Sequence, residues 1–223
     1  MPQAPTNNLI LLSDTNAAYK LHFFTDKQII PKTNIIIPKL GKLEFHAIVL
    51  EEVEAHITVF KTAKAMGLDF NGLEIPNFFQ TVGDAYLDKI YDFVKNNICQ
   101  IPIVDCHSSE FIQKRKVYEK ERLDLQKKWK ANGVVGKKVK STPSLNDYSL
   151  LFSAQKQNLK LLTNDEILLA VAEEFLPDGS TFKTEDIINA VYRDDEQKKS
   201  LIEDTIGTLE SLGEMIIRPR VFK

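Results

Sequence analysis

The chain sets short, almost wholly apolar runs beside longer stretches in which apolar residues recur every three or four positions. Residues 8–13 form one such run, of the kind that a strand buried on both faces requires. Asp14-Thr15-Asn16 ends it with three residues that favour turns and helix N-caps. Residues 35–38 are apolar but too short to assign. From Leu43 the chain is apolar again, and Val49, Val53, Ile57 and Phe60 follow helical spacing. Residues 67–76 hold two Gly, a Pro and Asn71 and read as a loop. Phe79, Val82, Tyr86, Ile90 and Phe93 make a second helical stripe ending near Asn96-Asn97, and residues 101–104 read as a short edge strand because Pro102 would break a central one.

A helix is expected over 109–130, with Phe111, Tyr118, Leu125 and Trp129 on one side; Asn132-Gly133 and Gly136 stop it. A helix over 145–157, a strand over 159–162 and a helix over 166–175 follow. Strands alternating with helices point to an α/β domain with a mainly parallel sheet. Beyond Pro177-Asp178-Gly179 the pattern changes. Thr184 caps a helix through Val191, a longer helix runs to Leu212 before Gly213, and Met215-Ile216-Ile217 forms a short strand with Arg218 and Arg220 beyond it. This division gives residues 1–176 as one α/β domain and 177–223 as a small α-rich appendage, loosely like part of a winged-helix unit.

Composition narrows the class. With 43% apolar and 27% charged residues, the 223-residue chain has enough apolar material for a sizeable core. No apolar stretch nears the roughly 20 residues that span a bilayer, the first residues lack the features of a signal peptide, and only Cys99 and Cys106 occur, so a cytoplasmic protein is expected. The net charge of −2 hides an asymmetry: residues 113–140 carry eleven Lys or Arg and three acids, net +8, against 18 bases and 28 acids elsewhere, net −10. Such a block is either a solvated helix face or an arm for polyanions.

Four carboxylates stand at element ends: Asp14, Glu52, Asp147 and Asp165. Acids after buried strands lie where an open α/β sheet presents its ligand crevice. Brought together they would repel one another, and a divalent cation removes that conflict. Each also has a local reading, since Asp caps helices and Asp or Glu in a first turn suits the helix dipole.

The strand ending in Asp14-Thr15-Asn16, the Val49-to-Val53 turn and the unit from Asp147-Tyr148 to Leu161-Leu162-Thr163-Asn164-Asp165 resemble the PIN domain family of metal-dependent ribonucleases, which includes toxins and RNA-processing members. The resemblance covers residues 8 to about 176, with an unmatched basic helical insert at about 106–140. It implies a PIN-like three-layer α/β/α fold and an endoribonuclease, using Mg2+ or Mn2+, that leaves 3′-hydroxyl and 5′-phosphate ends. It implies Asp14, Asp147 and Asp165 as metal ligands, Asp147 directly or through water, with Glu52 orienting the site and Asn16 and Thr163 supporting it by hydrogen bonds. Glu51, Glu52 and Glu54 crowd one turn, and only the family pattern selects the middle one.

Beside such a site the basic block reads as a clamp on RNA, carried by Lys127, Lys128, Lys130, Lys137, Lys138 and Lys140. Tyr118 and Trp129 are its candidates for stacking unpaired bases, Trp129 alternatively packing the helix onto the body. The alternatives are a non-catalytic nucleic-acid-binding or interaction module that keeps the fold, and a structure-specific DNA nuclease using the same metal chemistry. The C-terminal part has three open roles: nucleic-acid binding, homodimerisation, or the place of an inhibitory protein partner. Cys99, Cys106 and His107 match no common zinc spacing, the four His form no nucleophilic triad, and residues 133–138 lack the P-loop pattern.

Overall fold

Leu11 and Leu12 are fully shielded from solvent: their strand is central in the sheet, and their side chains lie in the core that the helices share with it. A computed structural model describes residues 10–37, 40–70, 73, 75–134, 142–192 and 199–211. Its central strand, β1 (Ile10–Ser13), pairs in parallel with β3 (Gly41–Phe45) on one side and β4 (Lys160–Leu162) on the other. The sheet order is β2-β3-β1-β4-β5, with β2 (Ile36–Ile37) the antiparallel edge and β5 (Thr181–Phe182) parallel to β4.

Among the described residues eight α-helices accompany the sheet: α1 (Thr15–Asp26), α2 (Ala47–Ala65), α3 (Asp84–Lys95), α4 (Ser109–Ala131), α5 (Leu145–Gln157), α6 (Glu166–Phe175), α7 (Thr184–Tyr192) and α8 (Lys199–Ser211). One group, α1, α2, α3, α7 and α8, packs around α1; α4, α5 and α6 pack against one another. The result is a mixed α/β architecture with a mostly parallel sheet, compatible with three layers. Among the described residues no helix is long and apolar enough to cross a membrane.

The helical stripe Val49, Val53, Ile57 and Phe60 is the buried face of α2, as its spacing requires. The boundaries of α5 and α6 coincide with those read from the sequence, because both carry strong local signals. Ser144 and Asp147 form a reciprocal capping box at the start of α5, and Asn158 closes its end in the left-handed conformation, φ 52°.

Elsewhere the sequence misleads. Phe79 lies in a short 3-10 helix (Asn77–Gln80), and α3 starts only at Asp84, after Gly83 interrupts the pattern. Residues 101–104 form no strand; the one bridge nearby is Ile98 to Phe45. The His46 ring fixes that segment instead: its Nδ1 accepts from the Ile48 amide (3.3 Å), so Nε2 carries the proton and donates to the Pro102 carbonyl (3.2 Å). β2 and β5, of two residues each, are too short for a pattern to show, and in β3 Lys42 and Glu44 break up the apolar run. Through β5 the segment read as an appendage begins as a strand of the central sheet, and Ile187, Ile188 and Ile202 join the core. The expected strand at 215–217 lies outside the described residues.

Candidate active site

Strand register sets the site. Ser13 pairs with Phe45 and with Leu162, and Leu162 pairs with Phe182, so His46, Asp14, Thr163 and Lys183 follow in a row along the carboxyl edge of the sheet. The chain leaves β1 to build β3 on one side and later builds β4 on the other. The crevice of such a sheet opens where the order reverses, here between β1 and β4. Asp14 and Thr163 stand at that position, and the Thr163 hydroxyl donates to Oδ2 of Asp14.

The other acids arrive on helix starts. Asp14 caps α1, its Oδ1 accepting from the Ala17 amide at 2.6 Å. Asp165 caps α6, its Oδ1 accepting from Ile167 (2.8 Å) and Leu168 (3.0 Å), while its own amide donates to Thr163 Oγ1 at 3.0 Å. Asp147 Oδ2 accepts from the Ser144 amide at 2.7 Å. The local capping readings therefore hold for all three. They stand together with convergence, because helix N-termini suit negative charge and three of them meet at this edge.

Glu52 joins this group from the second turn of α2. Its Oε2 accepts from the Thr15 hydroxyl, and its Oε1 accepts from Asn146 Nδ2 at 2.6 Å, so it bridges α1 and α5. Glu51 and Glu54, its crowding neighbours, are exposed. One turn on, Tyr19 Oη and His56 Nδ1 lie 2.7 Å apart, and α1 and α2 thus touch in register, Thr15 with Glu52 and Tyr19 with His56.

Charge is under strain here. Burial is the largest effect on Asp14, and with the nearby charges of Asp147 and Asp165 it outweighs the bonds from Thr163 and Ala17, pushing the pKa up to about 7. Asp147 rises to about 6, again chiefly through burial, with Glu52 and Asp165 adding repulsion against its bonds to Ser144. Burial and the Glu52 charge also hold the Tyr19 phenol far above its usual range. In the absence of a cation, this shift favours the protonated form of Asp14 over that of an ordinary carboxylate.

These groups suit a hard divalent cation in donor type and in charge, since carboxylate oxygens are its preferred ligands and the cation would relieve the repulsion. Among the described residues, however, no three His, Cys, Asp or Glu side chains are arranged as a ready metal-binding group. Asn16, expected to support the site, is exposed on the first turn of α1; buried Thr15 beside it makes the contact to Glu52. Thr15 and Asn146 were not singled out from the sequence, although each adjoins a candidate acid as a hydrogen-bonding residue in a helix's first turn.

The basic block is mostly α4. Lys127, Lys128 and Lys130 are exposed, Lys127 pairing with Asp124 at 3.1 Å; Lys137, Lys138 and Lys140 lie outside the described residues. The same helix lines an open groove of about 570 Å³ with Ile112, Arg115, Lys116, Lys120, Leu123 and Lys127. Cys106 also lines it, 3.5 Å from the Ser149 hydroxyl, which itself donates to the carbonyl of Leu145 beside Asn146. The expectation for Tyr118 is overturned: it is fully buried, its hydroxyl donating to Gln155 at 2.7 Å and its ring packed on Tyr148 and Phe175, so it is inaccessible to a base. Trp129 is half-buried.

No protein-family model matches the chain, and no curated protein or solved structure shows significant similarity to it.

Proposed function

We propose that the chain is a PIN-like, divalent-metal-dependent nuclease that hydrolyses phosphodiester bonds of RNA, with Mg2+ or Mn2+ as its cofactor. The observation that carries this reading is the convergence of Asp14, Asp147, Asp165 and Glu52 at the β1/β4 crevice, where burial and mutual repulsion leave Asp14 with a pKa of about 7. Beside its capping bond, a carboxyl so placed is well suited to a cation that compensates its charge.

In this reading Asp14 and Asp165 hold the cation, and Asp147 shares it directly or through water. Bound there, the cation would activate water at neutral pH and neutralise charge on the leaving oxygen. Each side chain retains capacity for this beside its cap, because a carboxylate has about four acceptor positions. Thr163 aims Asp14, while Thr15 and Asn146 hold Glu52 across the site. A bound cation would compete with a proton on Asp14, so its affinity would rise as pH rises through about 7. The exposed cations of α4 supply non-specific affinity for the phosphate backbone.

The alternative, a nucleic-acid-binding module without hydrolysis, draws on the capping bonds that Asp147 and Asp165 already make. One assay separates the readings: single-stranded RNA and DNA oligonucleotides incubated with Mn2+ and wild type, Asp14→Asn or Asp165→Asn. Metal-dependent cleavage of RNA that both variants lose supports the nuclease. Binding without cleavage by all three supports the module, and cleavage of DNA alone would overturn RNA as the substrate.

A further inference from the structure

We infer that Asn164 and Thr184 form a latch that positions the carboxylate turn, making the start of α7 part of the site's supporting structure; this rests on the metal-site reading above. Asn164 lies between Thr163, which bonds Asp14, and Asp165. Its side chain goes instead to Thr184, which is fully buried. Asn164 Nδ2 donates to Thr184 Oγ1 at 2.7 Å, and Asn164 Oδ1 accepts from the Thr184 amide at 3.1 Å. Both ends of one amide are thus satisfied by the hydroxyl and the amide of one residue.

Two further ties flank this pair. The Thr163 amide donates to the Phe182 carbonyl at 2.9 Å, and Lys183 Nζ pairs with Glu166 Oε1 at 2.8 Å, the lysine side chain only 11% exposed. Residues 163, 164 and 166 are therefore fastened to 182, 184 and 183, with Asp165 held between them. The bonds of Asp165 to Ile167 and Leu168 fix its side chain relative to α6 alone. The latch fixes the turn relative to the sheet edge on which Asp14 stands. Hydrogen-bonding partners just outside a metal's own ligands typically change its affinity by about 10- to 100-fold when removed, and small displacements of a ligand have large effects.

The latch also satisfies an amide at the start of α7, so a test must separate aim from stability. Thr184→Val keeps shape and removes the hydroxyl; Thr184→Ser retains it. Two measurements on the full chain decide: amide hydrogen exchange at Asp165, Ile167 and Leu168 without metal, and the Mn2+ concentration giving half of the maximal thermal shift. The expected result for Thr184→Val is faster exchange at these amides and a Mn2+ midpoint raised roughly 10-fold, with Thr184→Ser close to wild type. A lower melting temperature with unchanged midpoint and exchange would show a helix cap only and overturn the latch. If wild type itself shows no Mn2+ shift, the metal reading fails instead, and the exchange data still decide whether Thr184 holds the turn.

Discussion

The Thr163 hydroxyl donates to Oδ2 of Asp14 across 149 residues of sequence, at the point where the sheet reverses its order. That bond favours the ionised carboxylate and lowers its pKa, yet burial prevails and leaves the pKa near 7. The balance has measurable consequences.

The stability of the metal-free protein should carry the signature of Asp14. Its pKa is higher when folded than the ordinary 3.8, so the native state binds the extra proton, and the contribution falls as pH rises from about 4 to about 7. Buried His22, lowered to about 4 by its burial, acts in the opposite sense: its contribution is present above its ordinary 6.5 and is lost as pH falls toward 4. The difference between wild type and Asp14→Asn isolates the carboxyl. Denaturant titrations in a chelator should show the variant gaining on wild type by up to about 1.4 kcal/mol per pH unit over that window, then levelling. A difference that does not vary with pH would contradict the raised pKa.

Thr15→Val should unfasten Glu52 from α1 while preserving volume. Stability is expected to fall by about 1–3 kcal/mol, the cost of losing a shielded hydrogen bond. Under the proposed activity, Mn2+-dependent cleavage should drop about 10-fold or more, as on loss of a ligand-orienting partner. Steady-state rates beside a melting curve separate the two effects.

On α4, Lys116→Glu with Lys120→Glu should weaken oligonucleotide binding more than Lys127→Glu, because Asp124 already pairs with Lys127. For every lysine that no longer meets a phosphate, the slope of log affinity against log salt should shrink by about 0.7 for a single strand. Binding measured between low and moderate salt in a chelator tests this, and unaltered slopes would remove α4 from the interface.

Tyr118→Phe should cost about 1 kcal/mol through its bond to Gln155 and leave oligonucleotide affinity unchanged, while Tyr118→Ala should cost about 3–5 kcal/mol. Reduced affinity in the folded Tyr118→Phe variant would reopen a stacking role.

Much of the fold was legible because its signals are local. The stripe of α2, the capping box at Ser144 and Asp147, and the capping aspartates lie within one or two helical turns. β5 was not: it has two residues, and only its pairing with β4 makes it a strand. Tyr118 shows the same limit from the other side. The spacing that sets it on the packed face of α4 is visible in the sequence, but whether that face is sealed depends on Tyr148 and Phe175 from other helices.

For the candidate site, local pattern alone showed which acids stand at element ends, since an apolar run, a turn residue and a helical period are neighbours along the chain. Tertiary structure settled the surroundings of those acids. It put Glu52, with Glu51 and Glu54 left exposed, in contact with Thr15 and Asn146, and joined residues 163–166 to 182–184. Burial in the fold also pushes the Asp14 pKa up, to about 7. The reason is physical: hydrogen bonds and burial act over a few ångströms of space, and separation along the chain does not reveal them.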